Sequence, residues 1–186
     1  MLEKVRDCTK CRLCCNQRPL MDRCTHCQVL WVGLSAKTVT SEDEVPLAKS
    51  TNSGAIIHRI EETLNGVETY KTNLVKCVPL DDQKKLRYPN KQEIDDCFCN
   101  LEEEISELMP KVVFLLGEKV YSSVAKRLKL SFERFDGFNY QCVERDGIYY
   151  VPIHHPSYIH VYKRKHVDSY IQSIHNITER LLGRAL

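Results

Sequence analysis

No apolar run in this 186-residue chain approaches the ~20 residues needed to cross a bilayer, so membrane insertion is not expected. The stretch from Met1 to Lys10 is charged and lacks the apolar centre of a signal peptide, so the chain is expected to stay in a reducing compartment, the cytoplasm. A strong excess of one charge is missing too: 27 Lys and Arg against 25 Asp and Glu leave +2. A nucleic acid would therefore have to be held by a local patch, not by the charge of the whole molecule. No internal repeat or low-complexity tract divides the chain. A composition of 42% hydrophobic and 28% charged residues then fits one domain spanning 1–186. A monomer is the default expectation.

Cysteine, by contrast, is abundant. Ten in a secreted chain of this size would suggest a disulfide scaffold, but in a reducing cell the same density points to metal ligation. Six of them fall in Cys8-Thr-Lys-Cys11-Arg-Leu-Cys14-Cys15 and Cys24-Thr-His-Cys27, within a segment of about residues 1–28 that has little apolar periodicity. Cys8-x2-Cys11 followed by Cys24-x2-Cys27 has the spacing of a four-cysteine zinc site. Cys99 and Cys142 are expected to be small buried apolar groups.

Beyond that segment, apolar runs alternate with helical patterns. Val29 to Val32 ends at Gly33 and reads as a buried parallel strand, followed by a long polar loop from Leu34 to Ser53. Ile56, Ile57, Ile60 and Leu64 repeat at helical spacing and stop at Asn65-Gly66. A second strand covers Thr72 to Val75. Asn90 and Glu93 have capping-box spacing ahead of a long helix ended by Pro110. Lys111 to Leu116 and Tyr149 to Ile153 read as two more strands, with helices after each, the last from His166 to Leu182. The expected fold class is α/β, a three-layer α/β/α sandwich around a central, mostly parallel four-stranded sheet.

Gly33-Leu-Ser-Ala36, Thr72-Asn-Leu-Val-Lys-Cys77 and His155-Pro-Ser157 resemble, in order and spacing, the signature segments of the iron–sulfur uracil-DNA glycosylases of families 4 and 5. Pro110 to Gly117 and Cys8-Thr-Lys-Cys11-Arg-Leu13 resemble further segments of that family, so the likeness spans nearly the whole chain. The resemblance implies a monofunctional DNA glycosylase that cuts the N-glycosidic bond of uracil or a related altered pyrimidine and leaves an abasic site. DNA is then the partner. Alternatives are a glycosylase for another base, such as a modified cytosine in foreign DNA, and a non-catalytic DNA-binding or damage-sensing relative. The likeness also implies a [4Fe-4S] cluster on Cys8, Cys11, Cys77 and Cys97, while zinc through Cys8, Cys11, Cys24 and Cys27 stays open.

Cutting out a base requires extruding the nucleotide, reading its edge and stabilising charge on the departing ring. By position, Asn73 is the base-reading amide and His155 the donor to the base oxygen; Gly33, Leu34, Ser35 and Leu47 would also line the base pocket. Ser53, Pro156, Ser157, Tyr158, Lys163 and Arg164 are the expected DNA contacts, with Tyr158 or Ile159 as an apolar wedge. The chain departs from the family at three places. Leu34 stands where family 4 has a glutamate, Thr51 lies near the position of a family 5 aspartate, and Leu47 replaces a stacking phenylalanine. Glu42, Asp43 or Glu44 could supply a water-positioning acid, with Asp43 the catalytic candidate, if the loop folds back over the pocket, and catalysis without such an acid stays possible.

Overall fold

In a computed structural model that describes residues 2–39, 41 and 44–184, the chain forms a twisted sheet covered by helices on both faces. A short helix α1 (Glu3–Arg6) and a 3-10 turn (Arg12–Cys15) precede strand β1 (Val29–Ser35). There follow α2 (Asn52–Thr63), β2 (Thr69–Val75), α3 (Lys91–Leu108), β3 (Val112–Leu116) and α4 (Glu118–Leu128). The chain ends in β4 (Val143–Arg145), β5 (Ile148–Ile153), α5 (Pro156–Tyr162), a 3-10 turn (Arg164–His166) and α6 (Val167–Leu181).

The helix boundaries follow from local chemistry. Thr51 Oγ1 accepts the Gly54 amide 3.0 Å away and starts α2 at Asn52, four residues ahead of Ile56, the first position of the apolar pattern. Asn90 and Glu93 close a full capping box on α3, which ends at Met109 in the left-handed region before Pro110.

The sheet has five strands in the order β2-β1-β3-β5-β4, one more than the sequence pattern suggested. The additional strand, β4, is three residues long and pairs antiparallel with β5 at the edge, whereas the other pairings are parallel. Its hairpin turns at Asp146-Gly147, both at positive φ, the Asp-Gly signal of a two-residue turn. Three half-exposed residues carry too little apolar pattern to register as a strand.

Because side chains alternate along a strand, each buried strand feeds two cores. Val29 and Trp31 of β1 with Val112, Phe114 and Leu116 of β3 pack under α2, α5 and α6, where Trp31 stacks on Phe114 at 4.6 Å. Leu30, Val32, Val113 and Leu115 face α3 and α4. The cysteine-rich segment is anchored, not free: Leu2 and Val5 join this second core, and Leu13 packs with Val75, Cys77 and Cys97.

β1 has β2 on one side and β3 on the other, so the chain reverses its direction across the sheet at the carboxyl ends of β1 and β3. Such a switch point opens a crevice between the loops that leave the two strands, the usual ligand position in an α/β sheet.

Candidate functional site

A cavity of about 790 Å³ occupies that crevice. Gly33, Leu34 and Ser35 from β1, Asn73 from β2, Leu116 at the end of β3 with Gly117 after it, and His155 after β5 all line it, so four strand ends converge on one site. Asn73 is buried at 4% exposure, and among the described residues no protein group bonds its side-chain amide. Gly33 is its cross-strand partner, and a Cβ there would lie 2.4 Å from Asn73 Oδ1. Glycine is what lets the amide reach the cavity.

His155 caps α5. The Ser157 amide donates to its Nδ1 at 3.2 Å, so that nitrogen is unprotonated and the neutral ring carries its proton on Nε2. Burial acts the same way and pulls the ring below the ordinary imidazole range. Gly117, at φ 85, supports the arrangement, because a Cβ there would press within 3.1 Å of His155 Cβ. His154 faces away from that role: its Nδ1 pairs with Tyr140 Oη at 2.8 Å and its backbone O accepts from Tyr170 Oη.

The long loop after β1 returns to the cavity through Val45, Pro46 and Leu47. Leu47 sits at φ 52, a backbone state that costs a leucine about 1–3 kcal/mol. Contact with α2 holds it there, since a Cβ at Gly54 would lie 2.2 Å from Leu47 O. Asp43 and Glu42 lie outside the described residues. Glu44 faces Lys37, a cavity residue, at 3.5 Å.

The expected DNA contacts fall into three situations. Ser53 and Ser157 meet at the rim, Oγ to Oγ at 2.6 Å, and join the first turns of α2 and α5. Pro156 is buried at the first position of α5, where its fixed φ suits the helix start. Tyr158, Lys163 and Arg164 are exposed along and just after α5. Ile159, at 0% exposure, is a core residue and leaves Tyr158, at 41%, as the wedge candidate. The sequence pattern concealed α5 altogether, because His-Pro-Ser reads as a loop.

Further residues line the cavity that motif reasoning did not supply, Leu20, Lys37, Arg87 and Val120 among them. Leu86 and Tyr88 come from the loop before α3, Glu118 and Lys119 from the first turn of α4. Glu118 is the one carboxylate among the described lining residues.

The cysteines separate into two groups. Cys77 and Cys97 are buried beside Leu13, with Cys11 and Cys14 packed against them, and Asn100 Nδ2 donates to both Cys8 Sγ (3.3 Å) and Cys97 Sγ (3.5 Å). The Lys76 amide also donates to Cys97 Sγ at 3.3 Å. Burial first, then the neighbouring thiols Cys97, Cys11, Cys14 and Cys8, pushes Cys77 up to about 12. Cys24 and Cys27 keep other company: beyond burial, Cys24 is shifted by Asp22, Lys71, Glu68 and Glu61, and Cys27 by Cys24, Asp22, Glu104 and Glu68. Among the described residues no three His, Cys, Asp or Glu side chains are grouped to hold a single metal ion. Cys99 and Cys142 are only half-buried, and Cys99 Sγ accepts from Lys10 Nζ at 2.8 Å.

A sequence model of the uracil DNA glycosylase superfamily matches residues 19–177, a span containing all four strand ends of the cavity. The chain belongs to that superfamily. Among solved structures, wild-type SMUG2 of Pedobacter heparinus superposes with a TM-score of 0.55 at 14% identity, over 85% of this chain and 77% of that one. At such identity the likeness speaks for the shared fold. No curated protein sequence matches the chain. Within the superfamily span, the cavity at the switch point is the site that combines a buried amide, a neutral imidazole and a glycine-cleared approach.

Proposed function

We propose that this chain is a monofunctional DNA glycosylase that hydrolyses the N-glycosidic bond of uracil or a related altered pyrimidine and leaves an abasic site. The observation that carries it is the convergence of the Asn73 amide and the neutral His155 ring on one cavity at the switch point. The nucleotide leaves the stack and enters the cavity, where Asn73 offers an acceptor and donors to the N3–H and O4 of the base. As the bond to C1′ breaks, its electron pair goes to the base, and His155 Nε2–H donates to the O2 that gathers the charge. Water adds to the cationic sugar carbon and loses a proton. With leaving-group stabilisation carrying the reaction, the apolar Leu34 predicts slow turnover and not inactivity. Ser53, Ser157, Lys163 and Arg164 would hold phosphates around the extruded nucleotide.

A larger modified cytosine as substrate is favoured by one feature: Leu47 leaves more room over the base than an aromatic ring would, in a cavity of about 790 Å³. Oligonucleotides carrying uracil, hydroxymethyluracil, modified cytosines or normal bases, incubated with the protein and then cleaved with alkali, decide between these substrates. Cleavage at one altered base, abolished in His155→Ala, is the expected result. Binding without cleavage across the panel would replace the enzyme with a damage-sensing protein.

For the cysteines, we propose that Cys8, Cys11, Cys77 and Cys97 hold a [4Fe-4S] cluster. What supports it is the donor chemistry: thiols converging on an apolar pocket, with the Lys76 amide and Asn100 Nδ2 aimed at their sulfurs. When bound, the cluster ties the amino-terminal segment to β2 and α3, and no step of the hydrolysis runs through it. Protein purified without air should be brown, and Cys77→Ala or Cys97→Ala should be colourless. A colourless wild type containing zinc would sink the assignment.

A further inference from the structure

Leu86 and Tyr88 are large apolar side chains left 59% and 69% exposed, yet the loop that presents them is tightly built. Arg87 between them donates to both Glu93 carboxylate oxygens, at 2.8 and 2.5 Å, and from Nε to Leu80 O at 3.0 Å. Its backbone amide bonds Pro79 O, and Leu80 pairs with Leu86 across the loop. At the tip, Asp81 Oδ1 accepts the amides of Gln83 and Lys85. The exposure of Tyr88 is thus a fixed feature of the loop, not slack chain.

The surroundings of the ring point to a ligand. Apart from His155, Tyr88 is the one aromatic residue among the described residues lining the cavity. Lys119 Nζ lies 4.1 Å from its ring centroid and also lines the cavity. One ring face beside a cation and the rest open to a concave site is the combination by which proteins hold unpaired bases, the ring stacking on the base and the cation drawing the phosphate.

We propose that Tyr88 is a base-stacking residue at the mouth of the cavity, with Lys119 placed for the attached phosphate, and that its partner is the extruded nucleotide. This rests on the DNA glycosylase reading above. The chemistry recognised, a flat base carrying a phosphate, is shared by the extruded nucleotide and its flanking neighbour, and the two are separable by removing one base at a time.

The test measures, by fluorescence anisotropy, binding of labelled oligonucleotides in a His155→Ala background that prevents turnover, comparing Tyr88, Tyr88→Phe and Tyr88→Ala. One oligonucleotide carries uracil, a second a tetrahydrofuran abasic analogue at that position, and a third the analogue at the flanking position. Tyr88→Ala should weaken binding of the uracil oligonucleotide about 10- to 100-fold, and Tyr88→Phe should leave it near the starting value. The loss should vanish in the oligonucleotide lacking the target base. Loss that vanishes only with the flanking base absent keeps the stacking role and moves it to the neighbour. An equal loss on all three oligonucleotides, or no loss, overturns the proposal. Cleavage by the chain with His155 intact is scored in parallel: its absence, with base-dependent binding preserved, rejects the glycosylase and spares Tyr88.

Discussion

Gly33 and Asn73 are cross-strand partners so close that a single methyl on Gly33 would lie 2.4 Å from Asn73 Oδ1. Gly33→Ala should therefore push the Asn73 amide off its position while leaving the sheet intact. Overpacking of this kind costs about 1–3 kcal/mol of stability, and misplacing a positioning group by an ångström costs about 10²-fold in rate. Thermal melting and single-turnover kinetics on the cleaved oligonucleotide separate the two effects. An unchanged rate would remove Asn73 from base recognition.

His155 gives a pH signature. Burial lowers its pKa below the ordinary value of about 6.5, so the neutral, Nδ1-accepting ring persists into mildly acidic solution. The acid limb of kcat/KM should lie below that value and disappear in His155→Ala. Stability should move in the same direction. Above about pH 6.5 both folded and unfolded chains hold the ring neutral, and below it the unfolded chain takes up its proton first, so stability falls as pH falls through the lowered pKa. His154, lowered by burial and then by Lys163, adds to the same slope. Urea unfolding at pH 7.5 and 5.5 measures it.

Much of this architecture was legible because burial on both faces writes itself into β1 and β3 as continuous apolar runs, and because Asn90, Glu93 and Asn65-Gly66 mark helix ends chemically. The edge strand β4 escaped because three half-exposed residues leave no periodicity, although Asp146-Gly147 carried the hairpin signal. Two Cys-x2-Cys pairs with identical spacing cannot be told apart in sequence; only the path of the chain sends Cys8 and Cys11 towards Cys77 and Cys97, and Cys24 and Cys27 towards Asp22 and Glu68. Tyr88 and Glu118 were invisible for another reason. Each is an isolated side chain whose importance comes from the cavity beside it, and no local pattern encodes that.

Glu118 tests whether a carboxylate assists the attacking water. It stands in the first turn of α4 beside Gly117, on the cavity wall. If it positions water, Glu118→Gln should lower the single-turnover rate about 10²-fold or more while oligonucleotide affinity stays within twofold. A rate unchanged within threefold would leave stabilisation of the departing base as the main catalytic contribution.

Beneath Asn73 lies an ion pair with no access to water. Lys76 and Glu104 are both 0% exposed and 2.5 Å apart. Lys76 Nζ also donates to Thr72 Oγ1 at 2.7 Å and to Asn73 O at 2.6 Å, while Glu104 accepts from Thr72 and Tyr70. Burial pushes the Glu104 carboxyl up against the pull of Lys76, so each charge depends on the other. Removing one partner strands the other: Lys76→Met or Glu104→Leu alone should destabilise the protein by about 3–5 kcal/mol, whereas the double replacement should recover most of that loss. Kinetics then separate stability from positioning. Lys76 anchors the carbonyl of Asn73, so the double variant, although folded, should lose kcat/KM on the base-bearing oligonucleotide and keep its affinity for the abasic product. A double variant with wild-type kinetics would confine the pair to a structural role.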